Sequence, residues 1–473
     1  MDTVTIQKKN EVFLNVQCDP SIEMELSEHF QFFVPGYKFM PAYRNRMWDG
    51  KIRLYDSRKK LLYTGLHKYL REFCDVRDYN LEVIDSPTYG ALQSALSPDI
   101  DGLLSQMSLS VNGGDIIPRQ YQLEGLSHTL SQEKSLLLSP TASGKSLIIY
   151  LAIRYYLDVF EGNVLLIVPT TLVEQMYSDF GDYSSKDTWS HADNCHRIYS
   201  GREKHNVNQR VIISTWQSVY KLPQSWFAGF GMVIGDEAHN FKAKSLTNIL
   251  EKCTEAKYRI GTTGTLDGTQ THQLVLEGLF GPVYQVTTTK ELMDNDDLSQ
   301  LDINILILKY KEEYCKQIVK EKYQQELDFI VRYEPRNIFI SNLALDQTGN
   351  TLILFNYVDK HGKPLHTLLQ KKMPKKRKLF YVSGETDVDT RESVREITEK
   401  EKDAIIVASI GTFSTGINIR NLHNIIFASP SKSQIRVLQS IGRGLRKSED
   451  GQDTKIYDIA DDLHWKNKKN YTL

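Results

Sequence analysis

The chain has 473 residues, room for about three domains, and its 40% apolar and 25% charged residues are those of a globular protein. A formal net charge of −1 excludes a polycation that holds nucleic acid by bulk charge, so any such binding must come from local patches. Five scattered cysteines without a C-x-x-C pair argue against a disulfide framework or a zinc site, and for reduced thiols in a cytoplasmic-type compartment. The N-terminus lacks the apolar core of a signal peptide, and no apolar run approaches the ~18 residues of a membrane span. A soluble protein with no membrane partner is expected.

Residues 1–90 read as a small α+β domain rich in aromatics. Between Lys38 and Arg77 stand 11 Lys or Arg against 4 Asp or Glu. Most such runs are solvated faces. Here Tyr37, Phe39, Tyr43 and Trp48 interleave with the cations, which favours a surface for nucleic acid. Lys38, Arg44, Arg46, Trp48, Lys51 and Arg53 are the candidate contacts. Phe39 and Trp48 also read as core residues of a small domain. Pro87, Pro98, several serines and Gly113–Gly114 mark a boundary region at 85–117.

From Ser135 onward, short apolar runs alternate with segments of helical length. SLLLS (135–139), VLLIV (164–168), VIIST (211–215), MVIGD (232–236) and YRIGT (258–262) form one set. TLILF (351–355), LFYVS (379–383), AIIVAS (404–409), NIIFAS (424–429) and KIYDI (455–459) form another. Continuous apolar strands between amphipathic helices predict parallel sheets covered on both faces. The expected layout is a first α/β domain over 91–286, a helical connector over 287–334 and a second α/β domain over 335–473.

Within the first α/β domain, SLLLS runs into Ser139-Pro140-Thr141-Ala142-Ser143-Gly144-Lys145-Ser146 and then a helical stretch. Strand, tight loop, G-K-S and helix are the context of a phosphate-binding loop, although Ser139 replaces its usual first glycine. The loop amides at Thr141, Ser143 and Gly144 and the helix N-terminus cradle phosphate oxygens. Lys145 is then expected at the β- and γ-phosphates of ATP and Ser146 on Mg²⁺. Asp236-Glu237-Ala238-His239 ends a later strand. Adjacent acids there read either as a helix start or as a divided pair, with Asp236 on Mg²⁺ and Glu237 polarising the attacking water. His239 is expected to sense the nucleotide at the domain interface. In the second α/β domain, Gln439, Arg443 and Arg446 share one helical face. That face is either a solvated basic surface or a pair of arginine fingers with an amide, closing on ATP from the second domain.

Taken together these motifs resemble the superfamily-two helicases, within the branch of XPB-like and phage UvsW-like motors, over residues ~115–460. Arg119-Gln120-Tyr121-Gln122 resembles the Q motif, which implies Arg119 and Gln122 at the nucleotide. Val168–Thr171 and Ser214–Gln217 resemble strand-contacting motifs and imply nucleic-acid contacts at Thr170, Thr215 and Trp216. Thr263-Gly264-Thr265 stands where the family couples ATP to nucleic acid. Phe413–Asn418 resembles motif V, which implies Thr412 and Thr415 on the strand and Gly416 at the nucleotide. Gly36–Phe39 and Trp48–Leu54 resemble the small DNA-binding domain of UvsW-type proteins. The resemblance implies two RecA-like domains and an ATP- and Mg²⁺-dependent DNA helicase or translocase, remodelling forks or Holliday junctions by branch migration as a monomer, in the host cytoplasm if phage-encoded. Three other readings stay open beside it: a duplex translocase subunit of a larger complex, an RNA helicase, and a fork-binding protein with a dead ATP site.

Overall fold

The computed structural model describes residues 2–92, 97–199, 201–204, 208–266, 268–374, 376–416, 419, 421–431, 437, 440–442 and 453–466. The chain divides into two compact units, Met1–Thr287 and Thr288–Leu473, each described by itself.

The first unit holds two large sheets besides two short two-stranded ribbons. The smaller has five strands in the order Tyr55–Asp56, Leu61–Tyr63, Phe13–Gln17, Thr3–Lys8, Asn80–Ile84. Thr3–Lys8 and Phe13–Gln17 alternate buried and half-buried residues, the period of a sheet with one covered face. Helices Pro20–His29 and His67–Val76 supply Ile22, Leu26, Leu70 and Phe73 to its core. The second sheet has seven parallel strands. Its order is Cys195–Ile198, Val211–Ser214, Asn163–Ile167, Phe230–Asp236, Tyr258–Thr263, Lys134–Leu138, Val283–Gln285. Its central strands are buried along nearly their whole length, which explains why they read as unbroken apolar runs. In register, Leu138 lies opposite Thr263, and Asp236 opposite Thr262. The loop after Leu138, Asp236 and the Thr262–Thr263 step therefore share one carboxyl-end rim.

Three features join the two sheets of this unit. Glu11 accepts from Lys8 at 2.8 Å and from Lys134 at 2.7 Å, all three being buried. Tyr63 donates to Glu251. Gly65 packs so closely on helix Gln270–Phe280 that a Cβ would sit 2.0 Å from the Glu277 carbonyl oxygen. Buried Arg259 donates to the carbonyls of Leu250, Cys253 and Leu279, which satisfies helix C-terminal acceptors that would otherwise be orphaned.

The second unit is a six-stranded parallel sheet, ordered Leu301–Lys309, Thr454–Asp462, Asn424–Phe427, Thr351–Phe355, Ala404–Ser409, Lys378–Val382. The expected helical connector needs correction here. Helices Glu312–Ile318 and Tyr323–Arg332 are present, but Leu301–Lys309 is a nine-residue strand at the sheet's edge. Its sequence LDINILILK has period two, with Leu306 and Leu308 packed on the core and Ile303, Ile305 and Ile307 more than half exposed. Beneath this sheet Arg336 and Asp461 form a fully buried bidentate pair that also takes the Tyr310 hydroxyl. No helix of the described residues is long and apolar enough to cross a membrane.

Candidate nucleotide site and nucleic-acid surface

Buried strand Lys134–Leu138 delivers the chain to the rim, and helix Lys145–Val159 leaves it with Gly144 as its N-cap. Gly144 has φ +80°, a left-handed conformation that favours glycine, and a Cβ there would lie 2.2 Å from the Gln122 amide. Ala142 is also left-handed, at φ +67°. The loop is tied from within. Ser143 Oγ lies 2.6 Å from Ser139 Oγ and donates to the Pro140 carbonyl. Ser139 N–H donates to the Thr263 carbonyl at 2.8 Å, fixing the loop to the neighbouring strand. Thr141 is half-buried beside it.

The Lys145 ammonium lies 3.5 Å from a Glu237 oxygen and 4.0 Å from an Asp236 oxygen. Asp236 is 6% exposed and accepts from the Thr262 hydroxyl at 2.8 Å. Burial pushes its carboxyl above the usual range; Lys145 opposes that shift and neighbouring Glu237 reinforces it. Glu237 has φ +51°, strained backbone for a non-glycine, of the kind that gathers at functional sites. His239 Nδ1 lies 3.3 Å from Glu237 and 3.0 Å from the Thr263 hydroxyl, whose oxygen also receives the Thr265 N–H. Acids, lysine, histidine and Thr263–Thr265 thus form one connected group. The Ser146 hydroxyl is 2.8 Å from that of Tyr183, a neighbour with no signal in the sequence. A hydroxyl and a buried carboxylate, both hard oxygen donors beside a helix N-terminus, suit a Mg²⁺–triphosphate ligand.

Gln122 sits directly against the phosphate loop. It is 4% exposed and spans the Arg119 N–H and the Ser143 carbonyl, so it holds the phosphate loop. Tyr121 donates to the same carbonyl. Arg119 is exposed, its guanidinium 3.0 Å from the Tyr121 hydroxyl.

The residues expected along a strand fall into two groups. Thr170 is exposed on the short 3-10 turn Thr170–Leu172. Thr215 is 2% exposed, its hydroxyl paired with Ser218, and half-buried Trp216 packs against the core. Thr412 is likewise 7% exposed and accepts from Ser409. Thr415 and Gly416 lie in helix Ile410–Gly416, with the Thr415 side chain outside the described residues. Gln439, Arg443 and Arg446 also lie outside the described residues. In the small domain, Lys38, Arg44 and Arg46 are exposed and Lys51 half-buried. Arg53 is ion-paired with Asp49. Trp48 is half-buried and donates its indole N–H to the Lys51 carbonyl, which gives it a structural role in the small domain.

Parallel sheets with a phosphate loop and paired acids on a carboxyl-end rim define a nucleotide hydrolase of the helicase class. Three family models match in chain order. They are the N-terminal domain of DNA helicase UvsW at 4–85, the res subunit of type III restriction enzymes at 115–268, and the helicase conserved C-terminal domain at 335–448. The ATP-dependent DNA helicase uvsW of Enterobacteria phage T4 is 35% identical over 466 residues, 97% of this chain and 91% of that protein. The crystal structure of T4 UvsW aligns at 34% identity with a TM-score of 0.55, over 99% of this chain and 92% of that one. An HsdR fragment of a type I restriction enzyme from Vibrio vulnificus YJ016 shares the fold alone, at 17% identity and a TM-score of 0.56, over 86% and 71% of the two chains. The chain belongs to the UvsW family of superfamily-two helicases, and it is an ATP-hydrolysing enzyme of that class.

Proposed function

We propose that this protein is an ATP-dependent DNA motor that remodels branched DNA such as forks and Holliday junctions. The observation that carries the reading is Lys145, poised within 4.0 Å of both Asp236 and Glu237 at the end of a phosphate loop. Thr141, Ser143 and Gly144 offer the loop around the phosphates, and Lys145 turns from the acids to the β- and γ-phosphates. Ser146 and Asp236 would hold Mg²⁺, which would supply positive charge against that developing on the phosphates. Glu237 orients and polarises the attacking water. His239, Thr263 and Thr265 carry the state of the site to the strand-contacting rim. The helicase resemblance gives Gln439, Arg443, Arg446 and Gly416 a part in the same hydrolysis.

We assign DNA binding to residues 1–90 and ATP binding to the α/β domain up to 286. The second motor domain follows, and takes in the edge strand that begins at Leu301. Lys38, Arg44, Arg46 and Lys51 hold phosphates of flanking duplex, contacts that position without reading sequence. The enzyme works as a monomer in the cytoplasm, where free thiols persist. The test is unwinding of labelled forks and four-way junctions with ATP. Wild type should resolve them, and Lys145→Ala should lose at least about 10²-fold in rate, as expected when a phosphate-holding group goes. ATP hydrolysis stimulated equally by RNA would point to an RNA helicase instead.

A further inference from the structure

The small domain carries an arm that the phosphate contacts do not explain. Strands Gln31–Phe33 and Lys51–Arg53 pair as a two-stranded ribbon, and the chain between them folds into the turns Tyr37–Phe39 and Pro41–Arg44. The arm is rigid by construction. Val34 N–H donates to the Gly50 carbonyl, and Met47 N–H to that of Ala42. Tyr37 stacks on Phe33 at 4.6 Å, meets Tyr43 edge-on at 4.8 Å and covers Gly50, whose φ is +83°. A Cβ at Gly50 would lie 2.3 Å from the Tyr37 ring.

Two large apolar side chains stand out from this framework unpacked, Phe39 at 84% and Met47 at 79% exposure. A single exposed apolar residue needs no explanation. Two on one pinned arm, among cations, do. From Gln31 to Arg53 there are five cations and one acid, Asp49, which is paired with Arg53. This composition repels a basic or apolar protein partner less than it attracts a polyanion with exposed flat rings. Phe and Met are side chains that wedge between unstacked base steps, and cations beside them hold the flanking phosphates.

We propose that Phe39 and Met47 form an apolar wedge that takes an unstacked base at the branch point of DNA. The wedge makes the arm selective for junctions, where a base is already free, over continuous duplex, where unstacking must be added. The inference rests on the branched-DNA reading above.

The test uses the full chain and equilibrium binding to a four-way junction and a plain duplex, with 2-aminopurine at the branch point. Phe39→Ala with Met47→Ala should weaken junction binding about tenfold, the usual loss when a stacking platform is truncated. Duplex binding should change far less. The salt slope should match wild type because no cation is removed, whereas reversing Arg44 and Arg46 should flatten it. The 2-aminopurine signal seen with wild type should vanish in the double variant and return with Phe39→Trp. Equal losses on junction and duplex, or an unchanged 2-aminopurine signal, would overturn the wedge while leaving junction binding standing. Wild type with no junction preference would overturn the branched-DNA reading, and the wedge with it.

Discussion

Glu237 and Ala142 both sit in left-handed backbone, a conformation that costs roughly 1–2 kcal/mol for a residue with a Cβ. At Ala142 the backbone makes this turn without glycine, in a loop held by the Ser139–Ser143–Pro140 bonds. Gly264, between Thr263 and Thr265, is the opposite case, a glycine without a positive φ. A Cβ there would meet the Ser139 carbonyl oxygen at 3.5 Å, an ordinary contact, so space does not demand glycine. In the second unit, His361 is buried between the Ser429 hydroxyl at 2.8 Å and the Asn337 amide oxygen at 3.1 Å. Burial, helped by nearby Arg336, pushes its pKa from 6.5 down to about 3. Above pH 6.5 both folded and unfolded forms are neutral and nothing is lost. As pH falls from there toward 3, only the unfolded chain takes the proton, so stability drops by up to about 1.4 kcal/mol per pH unit. Thermal unfolding from pH 7 to 5 should therefore show a steeper loss in wild type than in His361→Gln. Parallel curves would mean that His361 is not held neutral.

At the level of elements, the strands buried on both faces were legible because their sequences are unbroken apolar runs. Thr351–Phe355 and Ala404–Ser409 match their expected bounds to the residue. Short Cys195–Ile198 and Val283–Gln285 escaped, since four or three mixed residues carry no period. Leu301–Lys309 escaped because its charged, helix-favouring neighbours masked a period-two stretch. The contact between the small domain and the first motor sheet was also invisible, because it joins Glu11 to Lys134 across 123 positions. Burial alone would raise the Glu11 carboxyl, but Lys134 and Lys8 overcome it and hold it below its usual range. Glu11→Ala leaves two buried ammonium groups without their acid. Such broken pairs cost roughly 3–5 kcal/mol. The first unit should melt several degrees lower, and proteolysis should release the small domain. A melting curve that matches wild type would show that the close approach of Gly65 to helix Gln270–Phe280 holds the junction without this ion pair.

For the whole molecule, what the sequence offered best was the ATP wall, because its residues cluster in short motifs at strand ends. Lys145, Asp236, Glu237, His239 and Thr263 are indeed brought within contact of one another. Roles that depend on side-chain direction were less legible: Gln122 turns into the loop, Thr215 onto the Ser218 hydroxyl, and Trp48 onto its own backbone. The account as a whole rests on ATP hydrolysis at that wall being driven by DNA. The direct measurement is steady-state ATP hydrolysis with and without branched DNA, in wild type and in Glu237→Gln. This substitution keeps the size of the side chain and removes its charge. Wild type should be stimulated by DNA, and Glu237→Gln should still bind ATP but lose roughly 10²–10⁴-fold in turnover, the range expected for a positioned general base. Stimulated hydrolysis that survives in Glu237→Gln, or wild type that binds branched DNA and hydrolyses no ATP, would contradict the account.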